Sequence, residues 1–297
     1  MQGTLKWVLA ILLLGIVLGL ARFAQSAEGT NTSRSVWPNL IKQAEALGLP
    51  TQFLKEIGPN FVTVVFEDLH TYAAEYHPED HRMILNMRLS FNSAGGVLKS
   101  LDRMTHHDAS LLYHELLHAY LDYIFNGPGP EGLSDNANRV LTFAHEQLRC
   151  HYRFVRINPV RQRREATELR FLSKGDAWEV INETWAVFIG WHIWTKLEQH
   201  REPQRIGAWT EPLLEDWANR LTAANISGEL LGYYEPDDPD ERRIARKHFI
   251  APSHGLTPKG TKLLLEVILE EPRNVIDEGG FVIKETQDTS QEKLPCD

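Results

Sequence analysis

Apolar and polar positions along this chain alternate first with the period of a strand and later with the period of a helix. Residues 61–68, FVTVVFED, are β-branched and aromatic and follow Gly58-Pro59-Asn60, which predicts a strand. Residues 82–91, RMILNMRLSF, alternate well enough for a second strand, with a turn over 92–96. Helical spacing predicts a short helix over 35–49, closed by Gly48 and Pro50, and a longer one from Asp108, read as its N-cap, to Asn126-Gly127. Further helices are predicted at 134–152, 176–197, 210–224 and 257–271, and a loop at 233–241. GPGPEG, residues 127–132, marks a boundary between an N-terminal lobe, 27–126, and a C-terminal lobe, 127–284. The arginine-rich piece from Arg153 to Arg170, broken by Pro159, reads as a solvated connector, and residues 285–297 read as a polar, disordered tail. The chain has no internal repeat.

Two of these helices carry groups that an apolar pattern does not call for. In ASLLYHELLHAYLDYIFNG, residues 109–127, His114 and His118 are four positions apart, so a helix stacks both rings on one face. Imidazoles at that spacing can share one Zn²⁺. Glu115, next to the first histidine, can lie beside the metal without binding it and take a proton from a bound water. This is the HExxH pattern.

A catalytic zinc site needs a third protein ligand and leaves a fourth position for water. From Trp178 to Trp194 the only charged residues are Glu179 and Glu183, and a carboxylate in so apolar a helix costs several kcal/mol unless it is paired or metal-bound. Glu183 is the first choice, because Ala186 and Gly190 share its face and permit close approach to the histidine helix. Glu179 is its competitor, with His145, His151 and His192 as further alternatives.

HELLHAYLDY, residues 114–123, resembles the active-site helix of the thermolysin-like gluzincins in its two histidines, its glutamate, Leu116, Ala119, Asp122 and Tyr123. Asn182-Glu183 likewise resembles the Asn-Glu pair that supplies the carboxylate ligand in that family. The resemblance implies an α+β, zincin-like fold: a small twisted sheet and the active-site helix in the N-terminal lobe, and a mainly helical C-terminal lobe carrying the third ligand. It also implies that strand 82–91 is the edge on which an extended peptide aligns. The segment between His118 and Glu183 is much longer than in thermolysin. Val187 stands where the family places an aspartate that orients the first histidine, so that support is expected from Asp176, Glu179 or Asp122. Tyr233, Tyr234, His192 and His151 are candidates for stabilising the oxyanion.

The implied activity is hydrolysis of peptide bonds by a zinc metallopeptidase, with one Zn²⁺ per chain held by His114, His118 and Glu183 and with Glu115 as general base. The alternative is an exported, zinc-binding, zincin-fold envelope protein with little or no peptidase activity. Lys6, the uncharged run 7–21 and Ala24-Gln25-Ser26 have the layout of a signal peptide, residues 1–26. The run is shorter than the roughly 20 residues that span a bilayer, so an exported, periplasmic or secreted product is expected, with an uncleaved anchor as the rival. Cleavage moves the formal charge from −9 to −11, since Lys6 and Arg22 leave and no acid does. So acidic a chain disfavours a nucleic-acid partner and leaves a peptide or protein substrate. Two cysteines, Cys150 and Cys296, allow one bridge but no cysteine framework.

Overall fold

The computed structural model describes residues 36–92, 96–158, 167–199 and 209–287. The run 7–21 and the cleavage site expected near residue 26 lie outside them. Among the described residues no helix is long and apolar enough to cross a membrane.

The N-terminal part opens with helix α1, residues 36–46, and a short helix α2, Gln52–Glu56. Strands β1 (Thr63–Glu67), β2 (Ala74–His77) and β3 (Arg82–Asn86) form one sheet in the order β1-β3-β2. β1 runs parallel to β3 and β2 antiparallel to it. The expected edge strand is therefore the central one. Met83, Ile84 and Leu85 are buried in succession, as a strand covered on both faces requires, and after Asn86 the chain turns into a 3-10 helix, Met87–Leu89. The edge strands are β1 and β2, and β2, the one that packs on α3, alternates over only four residues, too few to stand out.

Helix α3 spans His106–Asn126. Its N-cap is Thr105 rather than Asp108: the Thr105 hydroxyl accepts the Asp108 N–H, and Asp108 sits in the first turn, where a carboxylate faces the positive end of the helix. Helix α4, Asp135–Arg149, is capped by Ser134 and ends at Cys150, which is disulfide-bonded. Cys296 lies outside the described residues.

The arginine-rich connector is in part a sheet. Strands β4 (Phe154–Asn158) and β5 (Glu168–Phe171) pair antiparallel, Val155 and Ile157 turning into the core between solvent-facing neighbours. Helix α5, Lys174–Gln199, is apolar on all sides and is buried along most of its length. After α6 (Glu211–Ser227), the stretch expected to be a loop holds strand β6 (Tyr233–Tyr234) and a short helix α7 (Pro239–Ile244). Strand β7 (His248–Ile250) completes the second sheet, ordered β5-β4-β7-β6. Helix α8 (Pro258–Leu263) continues into a π turn, Leu264–Ile268, and α9 (Arg273–Thr286) takes up the start of the expected tail.

The protein is α+β with a helical majority, and its described residues form two small sheets. One continuous core runs from Val36 to Ile283 and crosses the boundary at 127–132 without a break. At its centre α3 packs on α5, where Tyr113, Leu116, Leu117, Tyr120, Phe188 and Ile189 are almost wholly buried. Each such side chain contributes about 1.5–3 kcal/mol of burial, enough to hold the two helices in one fixed relation.

Candidate metal centre

Gly190 lets these helices approach closely. A Cβ there would lie 3.1 Å from the Ser110 carbonyl oxygen of α3 and 3.5 Å from the His114 Cβ. At this contact the Nε2 atoms of His114 and His118 face each other at 3.0 Å. The Glu183 carboxylate of α5 closes the triangle, with Oε1 3.5 Å from His118 Nε2 and Oε2 3.7 Å from His114 Nε2.

Three donors bound to one zinc at about 2.0–2.1 Å in tetrahedral geometry stand about 3.3 Å apart. The 3.0 Å between the two nitrogens and the 3.5 and 3.7 Å from one Glu183 oxygen to each are of that size. Glu183 Oε2 is buried and has no hydrogen-bond partner, an arrangement that costs free energy in an apo protein and that a cation would relieve. The residues present therefore fit a small divalent ion.

Glu115 also offers an oxygen within 4.8 Å of the histidine nitrogens. It is nevertheless the worse ligand of the two carboxylates, since it lies 4.0 Å from His114 Nε2 and its Oε2 accepts the Tyr76 N–H of β2 at 2.9 Å. That bond points the group along the edge strand. Burial, with the Glu183 carboxylate adding to it, lifts the Glu115 carboxyl to about 7, against the pull of His118 and the Tyr76 N–H. His114 is held well below its ordinary pKa by burial and by its neighbour His118. Burial also opposes protonation of His118, but Glu183, Glu115 and Asn182 outweigh it and raise that ring.

The second halves of both imidazoles are engaged. His118 Nδ1 lies 2.9 Å from Asn182 Oδ1, and His114 is held from its other side by the main-chain carbonyl of Ala186. Backbone thus takes the orienting position for His114 that Val187 cannot fill. None of the three acids expected in that role orients a histidine ring of the site. Asp176 caps α5 against Ser173, and Glu179 accepts the main-chain N–H of Glu235. Asp122 accepts from the Tyr76 hydroxyl at 2.5 Å, His81 Nδ1 at 2.6 Å and Asn126 at 2.8 Å, which clamps the β2–β3 hairpin onto α3.

Of the expected oxyanion partners, Tyr233 alone is brought to the site. Gly232 makes this possible, because a Cβ there would sit 2.6 Å from the Thr184 main-chain nitrogen of α5. The Tyr233 hydroxyl faces Glu183; burial and that carboxylate hold its pKa far above the ordinary phenol value. Lys247 lies over its ring, 3.7 Å from the centroid. Tyr234, the next residue on the strand, points the other way to His248. His192 is buried on the far side of α5 against Glu271, His151 bonds the Gly255 carbonyl, and His145 packs on Phe125. These three are not site residues. Beside the triad a cleft of about 330 Å³ is lined by Tyr76, Glu79, Trp178, Glu179 and Asn182 among others.

Asn182, Tyr76 and the Ala186 carbonyl are the functional groups that sequence reasoning missed or left without a role. Asn182 had a signal in its place beside Glu183; a main-chain carbonyl has none. Comparison of the chain with protein-family models, with curated proteins and with solved structures finds no match.

Proposed function

We propose that this protein is an exported zinc metallopeptidase of zincin-like fold, acting on peptide or protein substrates. The observation that carries the reading is the triangle of His114, His118 and Glu183 with a second, non-ligating carboxylate beside it. A purely structural metal has no use for Glu115. The antiparallel edge strand next to α3 supports the zincin-like comparison, as does the order of sheet, HExxH helix and ligand helix along the chain.

Bound zinc supplies Lewis acidity and lowers the pKa of a coordinated water. Glu115 takes the proton of the attacking water and returns it to the leaving nitrogen, as its place beside the histidines without a share in the Glu183 contacts allows. Tyr233 donates to the oxygen that gains charge. Asn182 and the Ala186 carbonyl keep the imidazole rings turned towards Glu183. The Glu115→Gln protein should bind about one zinc per chain and lose at least roughly 10³-fold in hydrolysis of a peptide library. Full hydrolysis by that variant would remove Glu115 from the mechanism. A wild-type protein that binds zinc and cleaves nothing would support the envelope-protein alternative instead.

A further inference from the structure

The outer strand of the second sheet is built inside out. On β5 the charged residues turn to the opposite, half-buried face, where Arg170 pairs with Glu168 at 2.7 Å and Glu241 at 2.8 Å. The apolar residues turn outward: Leu169 and Phe171 are each 58% exposed, and Phe154, opposite Phe171 on β4, is 43% exposed. Phe154 and Phe171 meet edge to face, 4.9 Å between centroids. Apolar side chains on a free edge strand are a liability in an unpartnered protein, so this face calls for something to cover it.

The cations around the face point to what covers it. Arg153 lies 5.1 Å above the Phe171 ring, and Arg156 stands beside Leu169 on the same face. Next to Phe171 a pocket of about 300 Å³ has Leu148, Leu172 and Ala177 in its wall and Arg149, Arg153 and Lys174 around it, with no acid in its lining. Among the described residues none of Arg149, Arg153, Arg156 and Lys174 is in an ion pair with a carboxylate. The larger groove between α4 and α8 is the opposite case. Its Arg139, Lys259 and Lys262 pair with Glu266, Glu146 and Asp277. In a chain of net charge −9, four uncommitted cations around protruding aromatic and leucine side chains mark a surface complementary to an amphiphilic anion. A second copy fits poorly, because a two-fold pairing through this face would set Arg153 and Arg156 against their own images.

We propose that the solvent face of β4 and β5, with the adjoining basic pocket, docks on membranes rich in anionic phospholipid. Leu169, Phe154 and Phe171 would enter the interface while Arg149, Arg153, Arg156 and Lys174 meet lipid phosphates.

Hydrogen exchange of the full-length protein tests this, with phosphatidylcholine vesicles set against vesicles containing roughly one third phosphatidylglycerol. Comparing the two lipids cancels any insertion of residues 7–21, which is common to both. Residues 153–158 and 167–174 should exchange about tenfold more slowly on the anionic vesicles only, and high salt should reverse the effect. The Arg153→Glu/Lys174→Glu and Leu169→Ser/Phe171→Ser proteins should lose that protection with unchanged thermal unfolding. The proposal is overturned by equal exchange on both lipids, by protection already present in buffer, or by equal protection from soluble polyglutamate. A concentration-dependent dimer that Leu169→Ser abolishes would overturn it too.

Discussion

Helix α5 carries a buried histidine–glutamate cluster on each of two opposite faces, and only one of them has chemistry left to do. On one face, Glu271 Oε1 accepts from His192 Nε2 at 2.9 Å and Lys196 Nζ at 2.6 Å, while Oε2 accepts from Trp209 Nε1 at 2.5 Å. The Glu271 carboxylate there is fully paired, although His192 Nδ1 has no hydrogen-bond partner. On the other face, Glu183 meets two imidazole nitrogens that also face each other, and Glu183 Oε2 is left without a hydrogen bond. A buried carboxylate with both oxygens paired serves the fold, whereas one with an unpaired oxygen leaves a place for a cation. His192 lies nine positions beyond Glu183, a rotation of about 180° around the helix, which is why residues of one type in one helix serve two ends.

The comparison is broken most severely by removing the open carboxylate. Glu183→Ala should weaken zinc binding on the order of a thousandfold by competition with a chelator, while the far cluster keeps its thermal stability. If Glu179→Ala has that effect and Glu183→Ala does not, the wrong carboxylate has been assigned. Lys196→Met should do the reverse, losing about 3–5 kcal/mol in denaturant unfolding by leaving Glu271 short of a buried cation, with zinc stoichiometry unchanged.

Acid sharpens the contrast. Burial alone would raise the Glu271 carboxyl, but the His192 hydrogen bond and charge, with Lys196, carry it down to about 2. A carboxylate with a depressed folded pKa contributes stability that is complete above its unfolded value near 4.5 and is lost as pH falls through about 2. Between those limits wild type should lose about 3 kcal/mol that Glu271→Gln, already lacking the charge, does not lose. The smallest effect belongs to Asn182→Ala, which should cost about 10–100-fold in zinc affinity by freeing the His118 ring, and an unchanged affinity would deny Asn182 its orienting role.

Local geometry explains what the sequence makes legible. A four-residue spacing fixes two side chains on one helix face whatever the rest of the chain does, so the pairing of His114 with His118 can be read directly. Glu183 stands out because a carboxylate in an apolar helix needs a partner. The edge position of β2 is not legible, because the alternation of AEYH covers only four residues and because strand order is a long-range property. The arginines of 153–170 masked the alternating Val155 and Ile157 beneath them. The Ala186 carbonyl cannot be read at all, since every residue but proline has the same main-chain groups.

Gly190 and Gly232 give the site an unusual kind of fragility. Gly190, within α5, faces the main chain of Ser110 on α3, and Gly232, just before β6, faces that of Thr184 on α5. Neither has a side chain to offer, yet one added methyl group at position 232 would have no room beside the Thr184 backbone, and at 190 it would push α3 and α5 apart by tenths of an ångström. The tolerance of this cluster to sequence drift is thus set as much by two residues without side chains as by His114, Glu115, His118 and Glu183.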